Sequence, residues 1–286
     1  MPERSERRVR LVRHELAGSV LTLAERAPDP RSAGWIDACY GYEERAPGAV
    51  VRSEFANTSV VVILETGDPI EVGNAGESAR NRGGFVAGIH GGPTRTAHAG
   101  QQSGVELLLS PLAARRILGM PLSELAGRVF AASDVLPGAA RALPRRLAEL
   151  ESWTERLDAV DDFVASALHA APPARTGELA WAIAQIEQRQ GRVRIAALAR
   201  ELGWSERRLE RAFTEHVGVA PKLFARIARF EALMSRVRGG AHRSWAEAAL
   251  ALGYADQSHL VRDVRQFSGV PPSAAEAQLL AVGRAA

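Results

Sequence analysis

The feature that most constrains this chain is an internal repeat near its C-terminal end. The segment IAALARELGWSERRLERAFTEHVGVAP, which begins at Ile195, aligns with WAEAALALGYADQSHLVRDVRQFSGVPP, which begins at Trp245. A shift of 50 residues, which becomes 51 after one insertion, pairs Ala196, Ala199, Leu202, Gly203, Leu209, Arg211, Gly218, Val219 and Pro221 with identical residues. The repeat therefore predicts two copies of one supersecondary unit.

Each copy has the pattern of two short helices joined by a tight turn. In the first copy, Ile195, Leu198 and Leu202 are spaced to lie on one helix face. Gly203 can adopt the positive φ that ends a helix, and Ser205 is a suitable N-cap for the next one. The second copy repeats this plan with Trp245, Ala249, Leu252, Gly253 and Asp256. Such a pair is a helix-turn-helix, whose second helix enters the DNA major groove.

The second helix of the first copy carries polar residues opposite its apolar face. If Leu209 points into the core, the residues left outside are Arg207, Glu210, Arg211 and Thr214. Arginine can pair with guanine, and glutamate can accept a hydrogen bond from cytosine. A single residue of this kind is more often a solvated helix position than a base contact. The recurrence of Arg211 at Arg262 favours a function in DNA recognition.

The second copy shows the same division of faces. With Leu260, Val264 and Phe267 inside, an outer stripe is formed by Ser258, Arg262 and Arg265, with Gln257 and His259 beside it. Glutamine can pair with adenine, while serine and histidine adapt to several partners. The sequence therefore predicts a second DNA-recognition helix.

These motifs resemble the AraC/XylS family of bacterial transcription regulators between about Thr176 and Ala277. The resemblance rests on GxSxxxLxRxF in the first unit and on GYxDQSHLxR before GVPP in the second. It implies that a long helix starting at Pro221 holds both units in adjacent major grooves. It also implies DNA contacts from Arg207, Glu210 and Arg211 and from Gln257, Ser258, His259 and Arg262. The chain departs from the usual family residues at Arg194, Asp263 and Val264.

The distribution of charge agrees with a polyanionic partner of the C-terminal third. Residues 192–286 contain 15 Lys and Arg against 9 Asp and Glu, an excess of +6, while the whole chain carries +3. A basic module of this kind favours nucleic acid. A solvated charged surface would give the same count, so charge alone does not decide between the two.

In the rest of the chain, the pattern of apolar residues changes at Pro111. Before it, the β-prone segments SVLTLAE, SVVVILE, GGFVAGIHG and GVELLLS alternate with turn residues, which is typical of an antiparallel barrel or sandwich. After it, apolar residues recur at helical spacing. We predict an α+β fold with a cupin-like β-barrel for sensing or oligomerisation at 1–110 and a helical extension at 111–170. A linker at 171–177 leads to an all-α double helix-turn-helix domain, joined by one long helix, at 178–280.

A metal site is the main alternative use of the barrel. His90 and His98 are candidate metal ligands. However, they lack the tight His-x-His spacing, and the next carboxylate, Glu106, lies on a different segment. No GxSxG elbow, P-loop or complete GxGxxG is present. We therefore expect no catalytic residue, metal or other cofactor.

The sequence predicts a sequence-specific DNA-binding transcription regulator with an effector-sensing or dimerising N-terminal domain, and not an enzyme. Two alternatives remain open: a DNA-tethered cupin-type metalloenzyme, and a ligand-free regulator whose N-terminal half is a protein-interaction scaffold. Candidate partners besides double-stranded DNA are a small-molecule effector, a second copy of the chain and RNA polymerase. The longest aliphatic run, Val60–Leu64, is too short for a membrane span, and no secretory signal is evident. We expect a cytoplasmic protein, associated with the nucleoid when it binds DNA.

Overall fold

The computed structural model describes residues 7–16, 18–74, 77–80, 83–171, 176–242 and 244–282. The strands are β1 (Arg10–Leu16), β2 (Ser19–Glu25), β3 (Ile36–Arg45), β4 (Val50–Glu54), β5 (Val60–Glu65), β6 (Glu71–Asn74), β7 (Glu77–Arg80), β8 (Phe85–Ala87), β9 (Thr94–His98), β10 (Gln101–Leu109) and β11 (Val129–Ala131). The helices are α1 (Pro111–Leu118), α2 (Ala132–Val135), α3 (Leu143–Glu149), α4 (Trp153–Ala170), α5 (Gly177–Gln188), α6 (Ile195–Glu201), α7 (Glu206–Val217), α8 (Pro221–Arg238), α9 (Trp245–Ala251), α10 (Gln257–Ser268) and α11 (Pro272–Val282). The predicted α+β fold, with strands first and helices after them, is confirmed.

The strands form two antiparallel sheets. One has the order β1-β2-β3-β10-β5-β8-β11, and the other has the order β4-β9-β6-β7. Side chains alternate between the faces of a strand, so one face of each sheet can point inward. Residues from both sheets line a common cavity, as expected for a cupin-like barrel.

One strand lies in the region predicted to be a helical extension. Val129–Ala131 forms β11, which pairs with Phe85–Ala87 at the edge of the larger sheet. The predicted helical extension at 111–170 thus contains one short strand among its helices. Three residues are too few to show a strand period in the sequence, and their conformation depends on the open edge of β8.

Helix α4 packs across the outer side of β3. Its start is fixed by a capping box, in which Ser152 and Glu155 exchange side-chain and backbone hydrogen bonds. Gly41 makes the close approach feasible, because a Cβ there would lie 2.3 Å from the Trp153 ring. Arg26, which is almost fully buried, donates to Asp158 at 2.6 Å and also to Asp161. These contacts tie the helical region to the barrel.

The C-terminal helices are docked on the N-terminal part of the chain, including the helical segment after the barrel. Residues 172–175 of the predicted linker lie outside the described residues, and α5 begins at Gly177. At one contact, Gly218 at the end of α7 lies so close to the Leu122 carbonyl that a Cβ would be 2.8 Å from its oxygen. Among the described helices, none has the length and apolar character needed to cross a membrane.

Candidate nucleic-acid interface

The first helix-turn-helix consists of α6 and α7. Gly203, with φ of +67°, makes the turn between them. The Arg208 backbone N–H donates to the Ser205 side chain at 3.2 Å, so the predicted N-cap is confirmed. Leu209 and Phe213 are fully buried, which fixes the face that α7 turns toward the core.

The opposite face of α7 lies in solvent. All four predicted contact residues of the first unit are exposed: Arg207, Glu210, Arg211 and Thr214. The Thr214 hydroxyl donates to the Glu210 carbonyl at 2.9 Å, which leaves its oxygen free to accept. The sequence interpretation missed Arg208, which is also exposed and lies over the Trp204 ring at 4.2 Å. The aromatic residue four positions earlier was the available indication of this stacking.

The second unit, α9 and α10, repeats this geometry. Gly253 has φ of +70°, and the Asp256 side chain caps α10 by accepting from the His259 backbone N–H at 2.7 Å. Leu260 and Val264 are fully buried. The predicted turn, cap and inner face are confirmed here too.

The predicted contact residues of α10 do not all have the same surroundings. Gln257, Ser258 and Arg262 are exposed, whereas His259 is only partly so. The imidazole stands edge-on to the Tyr254 ring with centroids 5.2 Å apart, and its Nδ1 accepts from the Ala255 N–H at 3.4 Å. His259 therefore also stabilises the turn before the recognition helix.

Asp263, a departure from the usual family residues, is directed into the protein. It is 1% exposed, and its Oδ1 accepts from Arg226 of α8 at 2.6 Å. Consecutive helical residues point in directions about 100° apart, so Arg262 faces solvent on the other side. The charge of Asp263 thus anchors α10 to α8 instead of competing for the arginine that precedes it.

Helix α8 connects the two units and packs against both recognition helices. Its 18 residues span about 27 Å. Phe224 meets Phe213 of α7 with ring centroids 5.8 Å apart, and Phe230 meets Phe267 of α10 at 5.5 Å. All four rings are buried, so the two recognition helices are held in one packed arrangement.

Residues 198–278 match the family model described as a helix-turn-helix domain. This part of the chain is therefore a DNA-binding domain built from two helix-turn-helix units.

Several solved structures are similar to the chain at low identity. ToxT from Vibrio cholerae (P21 form) is 11% identical, with 86% of this chain and 98% of that chain covered and a TM-score of 0.48. An apo ToxT variant from strain SCE256 is 9% identical, with 93% and 100% covered and a TM-score of 0.49. The AraC-like transcriptional activator CuxR is 16% identical, with 78% and 79% covered and a TM-score of 0.26. No curated protein matches the chain significantly.

The barrel contains a second candidate site, a cavity of about 290 Å³ between the two sheets. Both histidines considered for metal binding line it and have other partners. His98 Nε2 donates to Glu44 at 3.1 Å, and His90 Nε2 shares a hydrogen bond of 2.7 Å with the Thr94 hydroxyl. In the part of the chain that the structure describes, no group of three His, Cys, Asp or Glu side chains is placed to hold a metal ion.

Proposed function

We propose that the protein is an AraC-type transcription regulator, which recognises two adjacent major-groove segments with α7 and α10 and responds to a small molecule bound in the barrel cavity. The proposed DNA contacts are Arg207, Glu210, Arg211, Thr214, Gln257, Ser258, His259 and Arg262. The observation that carries this proposal is that apolar side chains anchor both recognition helices while these polar groups remain largely in solvent. Hydrogen-bonding groups on such a face can contact base edges and phosphates.

The division of labour follows the predicted domains. We propose that residues 1–110 form the sensor, that 111–170 attach it to the segment 171–177, and that 178–280 bind DNA. The protein would act in the cytoplasm at the nucleoid, without a chemical reaction of its own. On the family resemblance alone, a second copy of the chain and RNA polymerase are the further partners that we propose.

The connection between β4 and β5 supports a link between the cavity and DNA binding. Phe55 lines the cavity and also meets the Phe230 ring of α8, with centroids 5.9 Å apart. The next residue, Ala56, donates its N–H to the Phe267 carbonyl of α10 at 3.0 Å. A ligand that displaces Phe55 would therefore alter contacts with both the joining helix and the second recognition helix.

A side-chain hydrogen bond strengthens this connection. The Thr58 hydroxyl donates to Glu231 Oε2 of α8 at 2.6 Å. Burial raises the pKa of Glu231 to about 7, although the hydrogen bonds from Thr58 act in the opposite direction. The bond joins the sensor to the helix that carries both recognition units.

We expect DNA binding to change the environment of this connection, because coupling between two sites is reciprocal. The amide hydrogen exchange rate of Ala56 should change by at least about tenfold at saturating specific DNA, which corresponds to about 1.4 kcal/mol of coupling. Thr58→Val, which removes the hydroxyl but keeps the shape, should reduce that change. Hydrogen-exchange mass spectrometry with fragmentation to single residues measures both quantities.

The matched control is Thr66→Val, because the Thr66 hydroxyl bonds to Ser103 within the barrel. This variant should leave the response of Ala56 unchanged. If exchange at Ala56 does not respond to DNA while α7 and α10 become protected, the proposed coupling is wrong. In that case the barrel would serve as a scaffold without a regulatory link through this connection.

A further inference from the structure

The cavity wall combines aromatic rings with polar groups. Strand alternation places Tyr40, Tyr42 and Glu44 of β3 on the face that also carries Gln102, Gly104 and Glu106 of β10. Gly104 lies opposite Tyr42, and a Cβ there would be 2.8 Å from the Tyr42 hydroxyl oxygen. The missing side chain thus leaves room for the phenol ring. Phe55 and Phe85 add two further rings to the wall.

The charges that line the cavity do not balance. Arg52 donates through both terminal nitrogens to Glu44, so each neutralises the other. Glu54 accepts from the Thr96 hydroxyl at 3.0 Å, and Glu106 is hydrogen bonded to Tyr40. Within the described residues, neither Glu54 nor Glu106 forms an ion pair with a Lys or Arg. Two carboxyl groups therefore face the cavity without a dedicated positive partner.

The pKa values of these two carboxyl groups reflect the lack of a cationic partner. Burial raises the pKa of Glu106 to about 7, a hydrogen bond from Tyr40 opposes this, and the charge of Glu54 adds to it. Loss of hydration at the cavity wall also raises the pKa of Glu54, although this residue remains exposed at the mouth of the cavity, and the Thr96 hydrogen bond and Arg52 act in the opposite direction. A positive ligand between them would favour the ionised forms of both.

Two polar groups beside the carboxylates also lack partners. Gln102 is 2% exposed, and neither its Nε2 nor its Oε1 makes a hydrogen bond of acceptable geometry. The Tyr42 hydroxyl also has no well-aligned hydrogen bond, and its interaction with the neighbouring Gln102 amide opposes the rise in its pKa that burial causes. Buried polar atoms without partners are costly, and a bound molecule with a polar end would relieve that cost.

We propose that the cavity binds an apolar organic cation, an alkylamine or arylamine whose ammonium group lies between Glu54 and Glu106. This inference rests on the proposed role of the cavity as an effector site and names the chemical class of the effector. The rings of Tyr40 and Phe55 would contact the hydrocarbon part and attract the positive charge through their faces. A carboxylate ligand would meet two groups of its own sign, and a neutral ligand would leave both acids without a counter-charge.

The test compares three probes of similar size: phenethylamine, 2-phenylethanol and phenylacetate. Isothermal titration calorimetry on the full-length protein at pH 8 should show phenethylamine binding at least tenfold more tightly than 2-phenylethanol. Phenylacetate should bind more weakly than either. The affinity for the amine should fall between pH 8 and pH 6, because Glu106 is protonated below about 7. The affinity for the alcohol should stay constant over the same range.

Variants locate the binding to the cavity. Glu106→Gln should lower the affinity for phenethylamine at least tenfold and leave the affinity for 2-phenylethanol within about twofold. Glu43→Gln is the matched control, because Glu43 lies on the same strand as Tyr42 with its side chain on the outer face, paired with Arg45 at 2.8 Å. It should change neither affinity. Thermal melts of both variants verify that each is folded.

The proposal is overturned if 2-phenylethanol or phenylacetate binds as tightly as the amine, or if the amine fails to bind. It is also overturned if Glu106→Gln leaves the affinity for the amine unchanged. These outcomes do not bear on the proposed regulatory function. That proposal would fail separately, if the Ala56 amide did not respond to DNA or if the protein did not bind specific DNA. A cavity that binds the alcohol best would still be an effector site, for a ligand of another class.

Discussion

Replacing Arg211 and Arg262 together by alanine should lower the affinity for specific DNA by about 2–6 kcal/mol. Each arginine is expected to contribute about 1–3 kcal/mol if it contacts a base. The two side chains lie on different helices, are exposed and share no partner, so their effects should add. Fluorescence anisotropy titrations with labelled DNA measure the loss, and the single variants give the individual contributions.

The salt dependence of these titrations separates base contacts from phosphate contacts. The wild-type affinity should fall steeply as salt rises, because bound cationic side chains release counterions from DNA. An arginine that contacts phosphate should reduce the salt slope by about 1 when it is removed, whereas one that contacts a base should relax the preference at its position. Arg145→Ala is the control, since this exposed arginine of α3 pairs only weakly with Glu149 at 3.7 Å. If the double variant bound as tightly and as selectively as the wild type, the assignment of α7 and α10 as recognition helices would be wrong.

Leu260→Asp should unfold the second helix-turn-helix. Leu260 is fully buried in the hydrophobic core, so the substitution removes its packing and places a carboxylate among apolar side chains. Truncating a buried leucine alone costs about 2–5 kcal/mol, and burying an unpaired charge adds to this. Circular dichroism melts should show a large loss of stability and of helix content.

Ser258→Asp is the matched control for this prediction. Ser258 is exposed in the first turn of α10, where a negative charge interacts favourably with the helix dipole. The control should therefore melt at or above the wild-type temperature, although it should weaken DNA binding. An unchanged melt for Leu260→Asp would show that the inner and outer faces of α10 had been exchanged.

The elements that the sequence predicted best are those that depend on local chemistry. The turns at Gly203 and Gly253 and the caps at Ser205 and Asp256 follow from backbone preferences of single residues, and the structure confirms them. The repeat supported these predictions because the turn and cap residues occur at equivalent positions in both copies. Arg194, a poor capping residue, indeed begins α6 without a side-chain cap.

Features that depend on contacts distant in sequence could not be predicted in this way. The inward direction of Asp263 depends on Arg226, which lies 37 residues earlier. The proximity of Tyr40 to Glu106 depends on the register of β3 with β10, which neither strand reveals alone. For the same reason the docking of Phe55 against Phe230 was not anticipated. The charge imbalance of the cavity becomes visible only once these registers are known.

The most direct test of the central claim is a dimethyl sulfate footprint, which reports access to guanine N7 in the major groove, on a site recovered by genome-wide mapping of bound DNA. Because α8 holds both recognition helices in one packed arrangement, two major-groove segments on the same face of the duplex should be protected. Their centres should lie about 10 base pairs apart, which is one helical turn. Protection of a single groove segment, or of two segments on opposite faces, would contradict recognition by two joined helix-turn-helix units.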